Sequence, residues 1–373
     1  MRKTVGIIGG GQLARMMALA GYPLGLKFLV LDPAGDACAG QVAELIVADY
    51  DNPEALAELA GRSNVVTFDF ENVPAAALER LAEQVDVLPG PQALAVSQDR
   101  LLEKQRFREL GIGTAAFAAA NTLEELHAAV EQVGMPAIVK TRRFGYDGKG
   151  QHRIRRREDV DAAWQAMRDQ ALIVEGMVPF DRELSVIGVR ARSGEVRFYP
   201  LTQNHHRDGI LASSFAPAPV TSTDVVAEAQ MMWRSLAESL DYVGAMALEL
   251  FAVDGRLLAN EMAPRVHNSG HWTINGADTS QFENHLRAIL GMPLGSTRAL
   301  GYCAMVNWIG QLPSPDAALR CEGTHWHDYG KQPRTGRKVG HLNIRAEELA
   351  ELQKMMALFA SGLAEDLSSP DIS

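Results

Sequence analysis

Apolar and polar positions change their spacing regularly over the first ninety residues. Short apolar runs with the length and composition of buried strands occur at 4–8, 27–31, 65–68 and 86–88. Segments with apolar side chains at helical spacing lie between them, at 12–21, 53–60 and 74–84. Strands that alternate with helices in this way predict a doubly wound parallel sheet.

The rest of the chain has a mixed α and β pattern. Helical spacing occurs at 98–110, 159–169, 225–240 and 346–363. Strand-like runs occur at 136–141, 172–175, 182–189, 196–199, 245–253 and 256–260. The last two runs are joined by Asp254-Gly255, a strong hairpin signal. The pattern, which turns strand-rich again late in the chain, predicts three parts: residues 1–95, 96–294 and 295–373.

The net charge and the cysteine content limit the kinds of partner that this chain is expected to bind. The formal net charge of −10 argues against nucleic-acid binding, because a polyanion requires a basic face. Basic residues are concentrated at 142–157 and 331–338, which suits small anionic ligands. Cys38, Cys303 and Cys321 match neither a disulfide framework nor a zinc site, and no stretch reads as a signal peptide or a membrane span. We therefore expect a cytoplasmic protein with no membrane partner.

A glycine-rich turn follows the first predicted strand. Gly9-Gly10-Gly11-Gln12-Leu13-Ala14 has the G-x-G-x-x-A form of a dinucleotide fingerprint, and Asp32 ends the next strand, near the place of a ribose-binding acid. Alone, this pair indicates an NAD-dependent oxidoreductase. Amides at a helix N-terminus bind any phosphate, however, and the residues also suit a plain tight turn. The motif leaves these alternatives open.

A second group of motifs indicates a nucleotide site in the middle of the chain. Lys140 ends a strand and precedes the glycine-rich loop 145–151, whose amides can close over phosphates beside the lysine charge. Further along, the strand that ends in Glu175-Gly176-Met177-Val178 is suited to bind an adenine edge through its backbone. Glu183 follows it as a carboxylate for ribose hydroxyls. Each piece alone fits a hairpin with surface charges, but their order favours a nucleotide site.

Two acids on the predicted hairpin form a candidate metal site. The Asp254-Gly255 turn folds the strand of Glu249 onto that of Glu261, so we expect the two carboxylates to face the same side. Mg²⁺ prefers a few hard oxygen ligands together with phosphate oxygens. A structural salt bridge is the alternative for a carboxylate in an apolar strand.

Longer strings of residues extend these motifs at 9–16, 68–74, 98–100, 144–151, 205–211, 260–271, 325–331 and 337–341. The most specific is Ala263-Pro264-Arg265-Val266-His267-Asn268-Ser269-Gly270-His271. Over nearly the whole chain they resemble the ATP-grasp superfamily, and within it the carbon–nitrogen ligases of purine biosynthesis that carboxylate aminoimidazole ribonucleotide. The resemblance implies an N-terminal Rossmann-like domain, a two-lobed ATP-grasp domain with a lid at 142–151, and a small β-rich C-terminal domain.

The resemblance implies ATP and Mg²⁺, with Mn²⁺ as an alternative ion, and a homodimer. Its ATP-binding positions are Arg100, Lys140, Gly145, Tyr146, Asp147, Gly148, Lys149, Gly150, Gln151, Glu175, Gly176, Met177, Val178, Glu183, His206, Asn260 and Glu261. Glu249 and Glu261 would hold the metal. Ala263 stands where many ATP-grasp enzymes have an asparagine ligand, and Asn268 is at best a substitute.

The resemblance also implies sites for bicarbonate and for aminoimidazole ribonucleotide. Its positions for bicarbonate and transfer are Arg265, His267 and Asn268, and Lys331 is a further catalytic position. His267 is the candidate base for the amine proton, or alternatively a simple hydrogen-bond donor. The ribonucleotide would be held by Gly10, Gly11, Gln12, Leu13, Glu71, Asn72, Lys331, Arg337 and Lys338, with Glu71 and Asn72 on its hydroxyls or amine.

Two other functions stay open on the sequence. A formate-dependent glycinamide ribonucleotide formyltransferase resembles this family in fold, but the strings at 265–271 and 336–341 fit the carboxylating enzymes better. A non-catalytic nucleotide sensor with an NAD-type fold would have no need of Lys140, Glu249 and Glu261.

Overall fold

The computed structural model describes residues 2–145, 150–168 and 170–366. Its N-terminal strands are β1 (Thr4–Ile8), β2 (Lys27–Asp32), β3 (Glu44–Val47) and β4 (Val65–Phe68). The helices around them are α1 (Gln12–Gly21), α2 (Pro53–Arg62) and α3 (Ala75–Ala82). The strands pair in parallel in the order β3-β2-β1-β4. All four residues of β4 are buried, as expected for a sheet covered on both faces.

A small antiparallel sheet forms the next part. Two helices precede it, α4 (Pro91–Ser97) and α5 (Arg100–Glu109). Its elements are β5 (Phe117–Ala120), α6 (Leu123–Val133), β6 (Ala137–Thr141), β7 (Gln151–Ile154), α7 (Asp159–Met167) and β8 (Leu172–Gly176). The strand order is β5-β8-β6-β7. Apolar side chains of α6 and α7 pack on this sheet and give the lobe its own core.

The largest sheet has nine antiparallel strands. They are β9 (Arg182–Arg190), β10 (Val196–Phe198), β11 (Thr202–Arg207), β12 (Ile210–Ala216), β13 (Gly244–Val253), β14 (Arg256–Ala263), β15 (Tyr302–Ile309), β16 (Thr324–Asp328) and β17 (Lys338–Ala346). The order is β14-β13-β9-β11-β12-β15-β17-β16, and β10 pairs with β9. The accompanying helices are α8 (Thr223–Ser239), α9 (Thr273–Gly276), α10 (Gln281–Ile289), α11 (Asp316–Leu319) and α12 (Leu349–Asp366).

A buried histidine joins the N-terminal sheet to the large one. His285 on α10 accepts the backbone N–H of Ala245 at Nδ1, 3.1 Å away, so its Nε2 carries the proton that reaches Thr67 Oγ1 at 2.9 Å. Burial lowers the pKa of His285 to about 4, which keeps the ring neutral. Apolar side chains of α1 and α10 belong to one core cluster. The first domain is thus packed against the lobe that carries the carboxylate pair.

The predicted architecture of parallel sheet, two-lobed centre and C-terminal part is confirmed. The strand predicted at 86–88 is reduced to a single bridge between Val66 and Val87, because Pro89 follows and cannot donate to a ladder. Strands β15 to β17 continue the large sheet, and the division at residue 295 stays a prediction. Within the described ranges, no helix is both long and apolar enough to cross a membrane.

Candidate active site

Two carboxylates face each other across adjacent strands at the centre of the site. Glu249 on β13 is the register partner of Glu261 on β14, beside an irregularity in the pairing, as the hairpin pattern predicted. Arg100, on the first turn of α5, places Nη1 2.9 Å from Glu261 Oε2. His267 Nε2 lies 3.3 Å from Glu249 Oε1. Glu261 is thus paired with an arginine, whereas Glu249 is paired with a histidine.

The two acids differ in their protonation behaviour. Burial, and then repulsion by Glu261, raise the pKa of Glu249 to about 8. Burial also disfavours the charge of Glu261, but Arg100 and Lys140 outweigh this and hold its pKa below the usual value. The neighbouring cations thus stabilise the negative charge of Glu261 but not that of Glu249 as well. Two carboxylates that are not both compensated by protein cations are expected where a divalent cation binds.

The pair therefore fits Mg²⁺. Within the described ranges, no group of three or more His, Cys, Asp or Glu side chains is arranged to hold a metal. Two carboxylates would leave the remaining coordination positions to phosphate oxygens and water, which is how Mg²⁺ is commonly bound beside a nucleotide.

A group of buried cations lies beside this pair. Lys140 Nζ, at the end of β6, is 3.0 Å from Glu175 Oε2 on β8. Lys104 Nζ, on α5, is 3.6 Å from the same oxygen and donates to the carbonyl of Asn260. Burial opposes ionisation of Glu175, but Lys104 and Lys140 together lower its pKa to about 2. Two lysines thus share one carboxylate, which leaves positive charge for phosphate oxygens.

Lys104 was not predicted from the sequence. Its side chain is 1% exposed although it belongs to a charged segment that looks like a solvated helix face. Its neighbour Glu103 is also buried and accepts the N–H of Met262 at 2.7 Å. Both side chains point from α5 onto β14, beside the metal carboxylate. Only the packing of this helix on the sheet reveals them.

Two other predicted nucleotide positions, Glu183 and His206, lie near the carboxylate pair. His206 Nδ1 on β11 is 2.8 Å from Glu183 Oε2 on β9. Burial disfavours a charged His206, but Glu183 and then Glu249 outweigh it and raise its pKa. Gly176 ends β8, Met177 and Val178 follow it, and the N–H of Met177 donates to the carbonyl of Pro136 at 3.0 Å.

The predicted lid is described only at its two ends. Gly145 accepts a long hydrogen bond from Arg100 Nη2 at 3.5 Å, and Gln151 begins β7 opposite Lys140. Gly150 has φ +69, and a Cβ there would lie 2.7 Å from Thr141 Oγ1, so glycine is required. Tyr146, Asp147, Gly148 and Lys149 lie outside the described residues.

The positions predicted for bicarbonate lie directly after β14. Arg265 Nη2 is 2.7 Å from Glu71 Oε1 of the N-terminal domain, while its Nε is buried without a partner in the described part of the chain. Asn268 exchanges hydrogen bonds with Asn307 on β15, at 3.1 and 2.7 Å. Asn307, which was not predicted, also donates to the carbonyl of Leu211.

The hydrogen bonds of His267 favour its role as a donor. Its Nδ1 accepts the N–H of Ser269 at 3.3 Å, which leaves the proton on Nε2, facing Glu249. Burial, and then Arg265, lower the pKa of His267 well below its usual value, so the ring is neutral. In this state neither nitrogen is free to take the amine proton.

The glycine-rich turn is fastened by two carboxylates. Asp32 Oδ2 accepts the N–H of Gly10 at 2.6 Å and the hydroxyl of Tyr50 at 3.0 Å. Asp69 Oδ2 accepts the N–H of Ala14 at 3.2 Å. Asp32 is therefore committed to the turn itself, which argues against its role as a free ribose-binding acid.

A lysine from the far end of the chain reaches this turn. Lys331 Nζ donates to Gln12 Oε1 across 319 positions of sequence. Burial lowers the pKa of Lys331, and Arg337 and Lys338 are among the charges that act on it. Arg337 donates to the carbonyl of Gln332 at 3.2 Å. The other predicted positions, Gly11, Leu13, Glu71 and Asn72, lie on the turn or on the loop after β4.

Family models match most of the chain. A model of the ATP-grasp domain matches residues 105–282, and one of the ribonucleotide synthetase preATP-grasp domain matches residues 1–98. A model of the phosphoribosylaminoimidazole carboxylase C-terminal domain matches residues 303–355.

Named relatives match over almost the full length. The chain is 50% identical to the N5-carboxyaminoimidazole ribonucleotide synthase of Pseudomonas aeruginosa, over 95% of this chain and 97% of the relative. The crystal structure of the synthetase from Thermus thermophilus superimposes with a TM-score of 0.92 at 51% identity, covering 96% and 98% of the two chains. The Aspergillus clavatus synthase, in complex with ADP and 5-aminoimidazole ribonucleotide, has a TM-score of 0.90 at 31% identity, covering 96% and 98%.

Fold, site and matches together define an ATP-grasp enzyme, an ATP-dependent ligase. Within that class, the chain belongs to the N5-carboxyaminoimidazole ribonucleotide synthase family. This assignment replaces the oxidoreductase, sensor and formyltransferase alternatives left open by the sequence.

Proposed function

We propose that this enzyme carboxylates the exocyclic amine of 5-aminoimidazole ribonucleotide, using ATP and bicarbonate, in purine biosynthesis. The products are 5-(carboxyamino)imidazole ribonucleotide, ADP and phosphate. The observation that carries the proposal is the continuity of polar side chains from the Glu249–Glu261 pair, through the neutral His267, to Arg265 and its partner Glu71. A nucleotide site, an anion-binding group and the N-terminal domain thus adjoin one another.

The first step consumes ATP. Bicarbonate is a poor electrophile, so one of its oxygens attacks the γ-phosphoryl group, giving carboxyphosphate and ADP. Charge spreads over the transferred group, and Lys140 beside Glu175 is placed to stabilise it. Glu249 and Glu261 would hold Mg²⁺, which neutralises phosphate charge when bound.

Residues after β14 would hold the bicarbonate. The unpartnered Nε of Arg265 and the amide of Asn268 are donors suited to a small planar anion. Nε2–H of His267 adds a neutral donor on the side of Glu249. We assign these three side chains to orient the anion, with His267 as a donor rather than the base.

The second step joins the carboxyl group to the amine. The exocyclic nitrogen of the imidazole attacks the carbon of carboxyphosphate, or of CO₂ released from it, and the phosphate that leaves takes up the proton that the nitrogen loses. Water would destroy both reactive species, so the reaction requires a closed site. We assign Glu71 and Asn72 to the ribose hydroxyls or the amine. The Gly10 to Leu13 turn, with Lys331, Arg337 and Lys338, would take the phosphate, using amides at the N-terminus of α1.

One assay tests this proposal. ADP release is measured with ATP and bicarbonate, in the presence and absence of 5-aminoimidazole ribonucleotide. We expect ribonucleotide-stimulated ADP release together with incorporation of labelled bicarbonate into the imidazole product. Stimulation by formate and glycinamide ribonucleotide instead would contradict the proposal. Homodimeric assembly and a cytoplasmic location also remain predictions, the first of them open to sedimentation analysis.

A further inference from the structure

In the segment Gln98-Asp99-Arg100, only Arg100 has been assigned a function, and Gln98 lies at the start of the segment. Its side-chain Nε2 donates to two backbone carbonyls, those of Glu71 at 2.7 Å and Val73 at 2.6 Å. Both belong to the loop that follows β4, and the Glu71 side chain on this loop pairs with Arg265. Gln98 therefore fastens the backbone of the loop proposed to contact the ribonucleotide.

The next residue ties the same segment to the base of the lid. Asp99 starts α5 by accepting the N–H of Leu101 at 3.0 Å. Its carboxylate also forms a two-bond pair with Arg142, with Nε–Oδ1 2.9 Å and Nη2–Oδ2 2.6 Å. Burial would raise the pKa of Asp99, but the pair with Arg142 outweighs it and lowers the pKa, so the carboxylate stays ionised. Arg142 follows β6 at the point where the glycine-rich loop begins.

The third residue reaches the metal carboxylate. Arg100 donates its backbone N–H to the carbonyl of Arg142 at 3.0 Å, and its guanidinium Nη1 lies 2.9 Å from Glu261 Oε2. Both ends of this arginine are therefore constrained. Its position is coupled to that of Gln98, two residues earlier, because the intervening Asp99 is itself held by Arg142.

We propose that Gln98 is a positioning residue that couples ribonucleotide binding on the loop after β4 to nucleotide binding at Glu261. This inference rests on the function proposed above. A ribonucleotide that orders Glu71 also orders the two carbonyls that Gln98 holds. The start of α5 then keeps Arg100 on Glu261, in the arrangement that the nucleotide requires. Packed elements of this kind shift together rather than deform individually.

The side chain of Gln98 is suited to this role by its chemistry. One amide group presents two N–H donors, which matches two carbonyls that are two residues apart. A carboxylate would repel both carbonyls, and a shorter amide would not reach them. The Gln98 side chain donates to the loop after β4 rather than to a described residue assigned to ATP, so its effect on ADP binding alone should be small.

The test is a linkage measurement by titration calorimetry with the full-length enzyme. ADP affinity is determined with and without saturating 5-aminoimidazole ribonucleotide, for the natural protein, Gln98→Met and Gln105→Met. Coupling between sites is reciprocal and typically about 5-fold or more. We expect such a ratio in the natural protein and in Gln105→Met, whose changed side chain is exposed on α5. In Gln98→Met the ratio should fall close to unity, with ADP affinity alone unchanged.

A second variant protects the test against a folding defect. Gln98→Asn keeps the amide but retracts it by one methylene, so it should lose the coupling as well. A wild-type ratio in either folded variant would overturn the proposal, as would a natural protein in which the ribonucleotide binds without changing ADP affinity. Failure of the natural protein to bind the ribonucleotide at all would instead refute the proposed function.

Discussion

The charged groups of the nucleotide site come from paired strands and a helix in the middle of the chain, whereas the site assigned to the ribonucleotide phosphate combines an uncharged N-terminal turn with cations from the C-terminal part. Glu249 and Glu261 are register partners in one hairpin. Lys331 reaches Gln12 across 319 positions of sequence. The first arrangement is fixed by local strand pairing and buried charge. The second arrangement depends on how the C-terminal part packs against the N-terminal turn. We therefore expect the ribonucleotide site to tolerate single substitutions better than the nucleotide site, and its geometry to depend more on the bound ligand.

The largest expected effect comes from the hairpin carboxylates. Glu261→Gln should lower kcat for ADP release by about 10³-fold, on the order of 4 kcal/mol of barrier, because a neutral amide holds Mg²⁺ poorly. Steady-state kinetics with saturating ATP and bicarbonate would measure it. Glu238→Gln, a change at an exposed position of α8, is the matched control. Natural rates in a folded Glu261→Gln enzyme would refute the metal assignment.

The ribonucleotide site should show a smaller and more selective effect. Lys331→Met should weaken the binding of 5-aminoimidazole ribonucleotide by about 2–3 kcal/mol, the free energy typical of losing a hydrogen bond to a charged group. The affinity for ATP should hardly change, since Lys140 and Lys104 serve that site. Calorimetric titration with each ligand separates the two effects, with the exposed Lys354→Met as control. Equal losses for both ligands would show that the two sites are not distinct.

The buried carboxyl group of Glu103 on α5 should make the stability of the protein depend on pH. Burial, the largest cause, raises the pKa of Glu103 from 4.5 to about 8, so the native state retains a proton that the unfolded chain has released. Between these values this group lowers stability as pH rises, by up to about 1.4 kcal/mol per pH unit. Glu103→Gln should therefore flatten the pH dependence of the urea unfolding free energy. The exposed Glu124→Gln serves as control, and equal slopes in both variants would contradict the assignment.

The smallest expected effect is at the bicarbonate positions. Asn307→Leu removes the partner of Asn268 at similar volume, which should cost about 1 kcal/mol, or about 5-fold in kcat/KM for bicarbonate. Initial rates at varied bicarbonate would measure the change. The KM for ATP is the internal control, because Asn307 contacts no residue assigned to the nucleotide. An equal rise in both KM values would point to a general structural defect.

The parts of the site that follow strand periodicity could be predicted from the sequence. The Asp254-Gly255 turn and the apolar runs around it were sufficient to place Glu249 opposite Glu261. The hairpin of β11 and β12, which carries His206, was not assigned, because Thr202 to Arg207 has no apolar alternation. Asn307, a buried polar residue inside β15, gave no signal either.

Lys104 and Asp32 show why the remainder was missed. A lysine in a charged helix is expected to lie on the solvated face. Lys104 is buried only because β14 packs against α5. Asp32 stood near a ribose-binding position, yet it holds the Gly10 amide instead. Lys331 was predicted only from the motifs that resemble the ATP-grasp carboxylating enzymes, because no local pattern connects it to Gln12.

The continuity of the large sheet has a consequence for dissection of the chain. β12 pairs with β15 through residues 213–216 and 303–306, so a fragment ending near residue 295 would expose a bare strand edge. Phe215, which packs with the C-terminal core cluster, would lose this cover at the same time. An uncovered edge beside apolar surface promotes association between chains. Residues 302–346 thus cover this edge of the large sheet, and we expect a fragment that lacks them to self-associate.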